Sequence, residues 1–221
     1  MATSKLIDLS HTIKDGMITY KGLPAPLVCD YLSHNDSKHL YEDAEFQIGK
    51  IEMISNTGTY IDCPFHRYKD GKDISETELE KFANLPGLII SAHHENGIGI
   101  GVEYFEHVDV LGKAVLVHTD WSDHWQTDTY FENHPFLTEQ AAKYLRDKGA
   151  KLVGIDSYNI DDTRTKRRPV HSTLLAEEIL IVEHLCNLKS IPKNADFHFN
   201  AVPPKIKGMG AYPVRAYAQL I

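Results

Sequence analysis

The hydrophobic pattern changes character along the chain. In the first third it is strand-like. Leu6 to Leu9 is a short apolar stretch. From Phe46 to Ile54 apolar and polar residues alternate, with Phe46, Ile48, Ile51 and Met53 as the apolar set. The phase slips near Lys50, which predicts a bulge. Thr57-Gly58-Thr59 breaks the pattern, and Tyr60 to Cys63 reads as a further short strand ended by Pro64. From Leu88 onwards the runs become continuously apolar. Leu88 to Ser91, Ala114 to Val117, Leu152 to Ile155 and Ile179 to Val182 lack alternation, as strands covered on both faces do. Helical spacing lies between them. Thr138 to Lys148 has a capping Thr, an apolar face of Ala141, Ala142 and Leu145, and Gly149 as a stop. Ser172 to Glu178 fits a second helix that leads directly into the Ile179 run. Phe197 to Val202 and Val214 to Leu220 read as closing strands. Two successive strand–helix–strand units predict an α/β fold, a mixed sheet with helices packed on it.

Length and charge narrow the class. At 221 residues one domain, 1–221, is expected, with no linker, repeat or low-complexity tract. A net charge of −8 argues against nucleic acid or an anionic membrane as partner, because both select dense Lys and Arg. No apolar run reaches the roughly 20 residues that span a bilayer. Met1 to Lys5 lacks the apolar core of a signal peptide. Cys29, Cys63 and Cys186 are odd in number and lack metal-type spacing. A reduced, cytoplasmic protein follows as the expectation. The one excess is histidine. His34, His39, His93, His94, His107 and His124 sit in polar, loop-like contexts and read as surface residues.

Chemistry concentrates in Asn56-Thr57-Gly58-Thr59-Tyr60-Ile61-Asp62-Cys63-Pro64-Phe65-His66. Gly58 permits a tight turn. In an extended Tyr60 to Asp62, residues 60 and 62 share a face. Pro64 restrains Cys63, and His66 follows close behind the carboxylate. Three readings stand: a base with its orienter, a metal ligand with its general base, or a capped turn around a hydrogen-bonded Asp. A second pair is His171, just before the second helix, and Glu183, at the carboxyl end of a buried strand. Open α/β sheets place their ligand crevices at such ends. A carboxylate buried there is costly unless paired, hydrogen-bonded or bound to a cation.

The Asn56 to His66 segment resembles the signature of the cyclase-like metal hydrolases, which include bacterial kynurenine formamidase and isatin hydrolase. Their pattern is His-x-Gly-Thr-His-x-Asp-x-Pro-x-His, and Gly58, Thr59, Asp62, Pro64 and His66 match it. The resemblance extends over nearly the whole chain. Asp8-Leu9-Ser10, Gly16-Met17 and Tyr20 resemble the opening segment, and Gly154-Ile155-Asp156 the central strand. His171 with Leu174-Leu175 and Ile181-Val182-Glu183 resemble the second ligand segment, and Pro213-Val214-Arg215 the last strand. The resemblance implies a swivelling β/β/α domain, a homodimer or homotetramer, and metal-assisted hydrolysis of amides. This sequence departs at two ligand positions, where Asn56 and Tyr60 replace histidine.

Carried onto this chain, the resemblance implies that Asp62, His171 and Glu183 hold a divalent cation, zinc or manganese, with one ion favoured over two because of the replacements. It implies that His66 moves a proton. Tyr60 is then expected to donate a hydrogen bond to a developing oxyanion, and Asn56 to orient a small-molecule substrate. The aromatic Trp121 to Phe131 stretch, with Trp121 and Trp125, is expected to wall the pocket or to form a subunit interface. The implied activity is hydrolysis of an aryl or cyclic amide, arylformamidase-like, with N-formylkynurenine as the first substrate. The replaced ligands keep two other classes open: a metal-free lyase or dehydratase using Tyr60 and His66, and a degenerate small-molecule binding protein.

Overall fold

The continuously apolar runs form the parallel centre of a nine-stranded sheet. The computed structural model describes residues 5–93 and 98–221; residues 1–4 and His94 lie outside the described residues. In chain order the strands are β1 (Leu6–Asp8), β2 (Leu27–Leu32), β3 (Ile48–Glu52), β4 (Tyr60–Asp62), β5 (Leu85–Ser91), β6 (Gly99–Ile100) and β7 (Ala114–His118). They continue with β8 (Phe136–Leu137), β9 (Leu152–Ile155), β10 (Leu180–Glu183), β11 (Phe197–Asn200), β12 (Ala211–Pro213) and β13 (Tyr217–Leu220). The helices are α1 (His34–Ser37), α2 (Glu139–Asp147) and α3 (Pro169–Leu175). The main sheet runs β1-β13-β11-β5-β7-β9-β10-β4-β12. Strands β5, β7, β9 and β10 pair in parallel; the flanking pairs are antiparallel. This is the expected α/β architecture, with a curled mixed sheet and few helices.

Both faces of the central strands are covered, which explains their lack of alternation. Ala114, Leu116, Leu180 and Val182 join one buried cluster with Leu9, Ile61 and Phe199. Val115, Val117 and Ile181 join another with Leu145 of α2 and Leu174 of α3. Among the described residues no helix is long and apolar enough to cross a membrane.

Several boundaries differ from the sequence pattern. The second helix begins at Pro169, three residues early, because proline is pre-set for the first helical position. His171 therefore lies inside the first turn rather than ahead of it. Segment 176–178 is a turn, and Glu178 has φ 54°, which stops the helix. Of the Val214 to Leu220 stretch only Tyr217–Leu220 is strand, as β13, and Val214 to Ala216 carries the chain to it from β12 in another region of the sheet. There Val214 N–H donates to Thr59 O at 3.0 Å and Leu9 N–H to Ala216 O at 2.9 Å, which closes the curl. The bulge expected near Lys50 falls on the partner strand, between Asp30 and Leu32. Strands β2 and β3 form a separate two-stranded hairpin that leaves Leu27, Val28, Tyr31, Ile48 and Ile51 exposed.

Thr59 ties three segments together. Its Oγ1 accepts from His11 N–H at 3.0 Å and donates to His184 O at 2.5 Å. Thr59 is buried, so neither partner has water as an easy substitute. Thr59→Val keeps the shape and removes both bonds. It should lower unfolding free energy by about 1–3 kcal/mol, read from a urea titration with unchanged slope.

Candidate metal centre

The register between β4 and β10 assembles the site. Glu183 pairs with Tyr60, and Ile181 with Asp62, in antiparallel alignment. The strand pair thus brings the motif segment beside the carboxyl end of the parallel strands, where an α/β sheet forms its crevice. Gly58 makes the turn into β4 with φ +66°, a conformation glycine adopts without strain. After Asp62 the chain turns through a 3₁₀ segment, Pro64–His66, started by Pro64. Gly210 lets the neighbouring chain approach this turn: a Cβ there would meet His66 N at 2.4 Å and Cα at 2.5 Å.

Asp62 is fully buried, and neither of its oxygens has a hydrogen-bond partner among the described residues. His66 Nδ1 stands 3.5 Å from Oδ1, and His171 Nε2 stands 3.6 Å from Oδ2. A cation about 2.0–2.2 Å from each of two ligands holds them roughly 3–3.5 Å apart, so the spacing suits a shared ion. Asp62, His66 and His171 each offer a donor atom, all within 4.8 Å of one another. A carboxylate with two imidazoles fits zinc or manganese chemistry. The observation that makes the fit is that neither buried Asp62 oxygen is hydrogen-bonded while two imidazoles face them at a spacing a shared cation would fill.

His171 is held from behind. Its Nδ1 lies 2.6 Å from Asp161 Oδ2, which also accepts the His171 backbone N–H at 3.0 Å. Asp161 Oδ1 accepts Val170 N–H at 2.8 Å. One carboxylate thus caps the start of α3 and aims Nε2 at Asp62. Burial alone would lower the His171 pKa, but the bond to Asp161 and the nearby Asp62 and Glu183 carboxylates outweigh it and raise it to about 10. An entering cation therefore competes with a proton.

The other expected residues take different places. Glu183 is buried beside the site, with Oε1 3.8 Å from His171 Nε2. It was expected as the third ligand. In this structure its oxygens accept hydrogen bonds: Oε1 from Ile160 N–H at 2.7 Å, and Oε2 from the Tyr60 hydroxyl, the Tyr20 hydroxyl at 3.1 Å and Asn159 Nδ2 at 3.4 Å. Burial raises its pKa. His66, expected as the proton carrier, also offers a donor atom to the cluster of Asp62 and His171. Burial, and then the Glu183 charge, push the Tyr60 and Tyr20 pKa values well above the phenol range, so both stay neutral. Tyr60 is a neutral donor that binds Glu183 in this structure.

A cavity of about 360 Å³ opens over the cluster, and Asn56, Tyr60, His66 and His171 line it with Tyr20 and Leu23. Trp121 and Trp125 are not among its lining residues. Trp121 is buried, with its ring N–H donating to Tyr130 O at 3.0 Å, and Trp125 stacks on His11 at 4.0 Å between centroids. Both pack the loop against the domain, so the ring-bearing wall is Tyr20 and Tyr60. Three contributors have no local sequence signal: Asp161, ten residues from His171; Asn159, beside Glu183; and Gly210, distant in sequence from His66. Their roles arise from packing alone.

The fold is an α/β domain with an Asp–His–His cluster, whose donor atoms could hold a metal ion, under a cavity at the carboxyl end of its parallel strands. More narrowly, the chain belongs to the cyclase family: residues 7–162 match the family model Cyclase, described as "Putative cyclase". It is 27% identical over 217 residues to kynurenine formamidase of Bacillus anthracis, covering 98% of each chain. The kynurenine formamidase of Geobacillus thermodenitrificans is 30% identical over 177 residues, covering 79% of this chain and 81% of the relative. A "predicted metal-dependent hydrolase from Bacillus stearothermophilus" superposes with a TM-score of 0.77 at 29% identity, covering 99% of both chains. Isatin hydrolase A from Ralstonia solanacearum has the same fold, with a TM-score of 0.85 at 22% identity over 99% of this chain and 92% of that one.

Asp161→Asn tests the support behind the cluster. It keeps a helix-capping oxygen but removes the charge that aims His171. Affinity for zinc should fall about 10–100-fold, measured by competition with a chromophoric chelator. Unchanged affinity would remove His171 from the donor set.

Proposed function

We propose that this protein is a metal-dependent hydrolase of a carbon–nitrogen bond in an aryl or cyclic amide, with arylformamidase activity on N-formylkynurenine as the first candidate. The observation that carries the reading is the buried, unpartnered Asp62 carboxylate facing two imidazoles beneath a cavity. The kynurenine formamidases among its relatives supply the substrate class.

Asp62, His66 and His171 would hold one divalent cation, zinc or manganese. Such an ion polarises a carbonyl and lowers the pKa of water toward neutrality. A single ion is favoured because Asn56 and the neutral, engaged Tyr60 occupy the positions of two histidine ligands. Tyr60 lines the cavity, and its O–H can turn from Glu183 to a carbonyl oxygen that gains negative charge. Glu183, anchored by Ile160 N–H and Asn159, holds that hydroxyl and the Tyr20 hydroxyl in place until then. Tyr20 and Leu23 exclude water from one side of the substrate.

A second role for His66 is favoured by its exposure: its side chain is 34% accessible, whereas His171 is sealed. In that role His66 passes a proton to the leaving nitrogen and Asp62 orients its ring. His66→Ala separates the two. As a ligand it should lower zinc or manganese content; as a proton carrier it should leave metal content intact while kcat collapses.

The decisive assay is formate release from N-formylkynurenine, and ring opening of isatin, by protein supplied with zinc or manganese. Turnover of either is expected. Tyr60→Phe should cost about 10²–10³ in kcat at unchanged metal content, the usual loss for one oxyanion donor. A chain that binds the metal yet hydrolyses neither compound would move the function to a lyase or a binding protein.

A further inference from the structure

Two guanidinium groups line the cavity beside His66 and His171: Arg67, which follows His66 in sequence, and Arg168, which precedes α3. Most other long cations of this acidic chain have carboxylate partners. Lys72 and Lys81 pair with Glu178, Arg164 with Asp162, Arg167 with Glu139, Lys189 with Asp123 and Arg215 with Asp8. Among the described residues neither Arg67 nor Arg168 has a carboxylate within ion-pair distance.

Both heads are nevertheless held. Arg67 donates Nε–H to Ser172 Oγ at 2.9 Å. Arg168 donates from Nη1 to the carbonyls of Thr165 and Arg167, each at 2.8 Å, and of Asp162 at 3.4 Å. These bonds use one part of each guanidinium and leave an edge of two N–H groups uncommitted: Nη1 and Nη2 on Arg67, Nε and Nη2 on Arg168. An unpaired guanidinium fork matches a carboxylate in a planar, two-bonded geometry. Two such edges provide four donors, the number of lone-pair positions on a single carboxylate. Lys166, exposed in the same loop as Arg168, lines a second depression together with Arg67 and Arg168 and adds positive potential there in a chain whose net charge is −8. Such local fields draw in anions.

We infer that Arg67 and Arg168 are the specificity-determining pair of this cavity: they grip a carboxylate that the substrate amide carries away from the scissile bond, as N-formylkynurenine does, and set the register of the amide. The amide part rests on the proposed hydrolase function; the carboxylate part rests on the two arginines.

Binding and turnover test the two parts separately. Calorimetric titration of the zinc-loaded protein compares 4-aminobenzoate with aniline, whose para arrangement keeps the carboxylate away from the amine. The charged ligand should bind at least about tenfold more tightly. Arg67→Gln and Arg168→Gln should each reduce that preference about tenfold, equivalent to about 1.4 kcal/mol. Arg168 also braces its loop, so Arg67→Gln, an exposed site with one side-chain bond, is the decisive variant. Equal binding of both ligands, or a preference that survives Arg67→Gln and Arg168→Gln, overturns the inference. Tighter binding of 4-aminophenyl phosphate than of 4-aminobenzoate overturns the carboxylate assignment. In turnover, 4-formamidobenzoate should show the lower KM beside formanilide. If neither formamide is hydrolysed but arginine-dependent 4-aminobenzoate binding persists, the hydrolase reading falls and the carboxylate site stands.

Discussion

A carboxylate sealed from water with neither oxygen hydrogen-bonded is the constraint around which the rest of the site is arranged. Asp62 lies in a strand whose neighbours on both sides supply backbone bonds, so it cannot swing out to solvent. A buried charge of that kind costs several kcal/mol unless something compensates it. Two imidazoles from separate segments, a 3₁₀ turn and a helix, stand at distances too long for hydrogen bonds and suited to a shared cation. Asp161, Pro64 and Gly210 then make sense as parts that hold these imidazoles still.

The polar groups around Glu183 differ in kind. Tyr20, Tyr60, Asn159 and the Ile160 backbone N–H converge on Glu183. This network satisfies a carboxylate, whereas the cluster around Asp62 leaves one open. The tyrosine at position 60 belongs to this network: its buried hydroxyl binds Glu183 and stands at the cavity wall.

Much of the fold was legible because burial leaves a simple mark. Strands covered on both faces show unbroken apolar runs, and β9 runs from Leu152 to Ile155 as the pattern predicts. The Thr138 cap and its Ala141 N–H bond likewise match the reading of α2. The hairpin strand β2 carried no such mark, because it buries little and its Cys29-Asp30 step interrupts the apolar pattern. The start of α3 was displaced because proline, a helix breaker inside a helix, is favourable at its first turn.

By itself the sequence determined the class of fold, the motif from Asn56 to His66, and the pairing of that motif with His171 and Glu183. Those features depend on local spacing, periodicity and a resemblance that spans the chain. Only the tertiary structure decided which carboxylate is hydrogen-bonded and which is not, that His66 stands with Asp62 and His171, that Trp121 and Trp125 do not line the cavity, and that two arginines line it without carboxylate partners. The physical reason is that hydrogen-bond satisfaction is a property of the neighbourhood. Glu183 and Asp62 are both buried acids at strand ends, and nothing local distinguishes them. The difference comes from Tyr20, Tyr60 and Asn159, which the fold brings to one and withholds from the other.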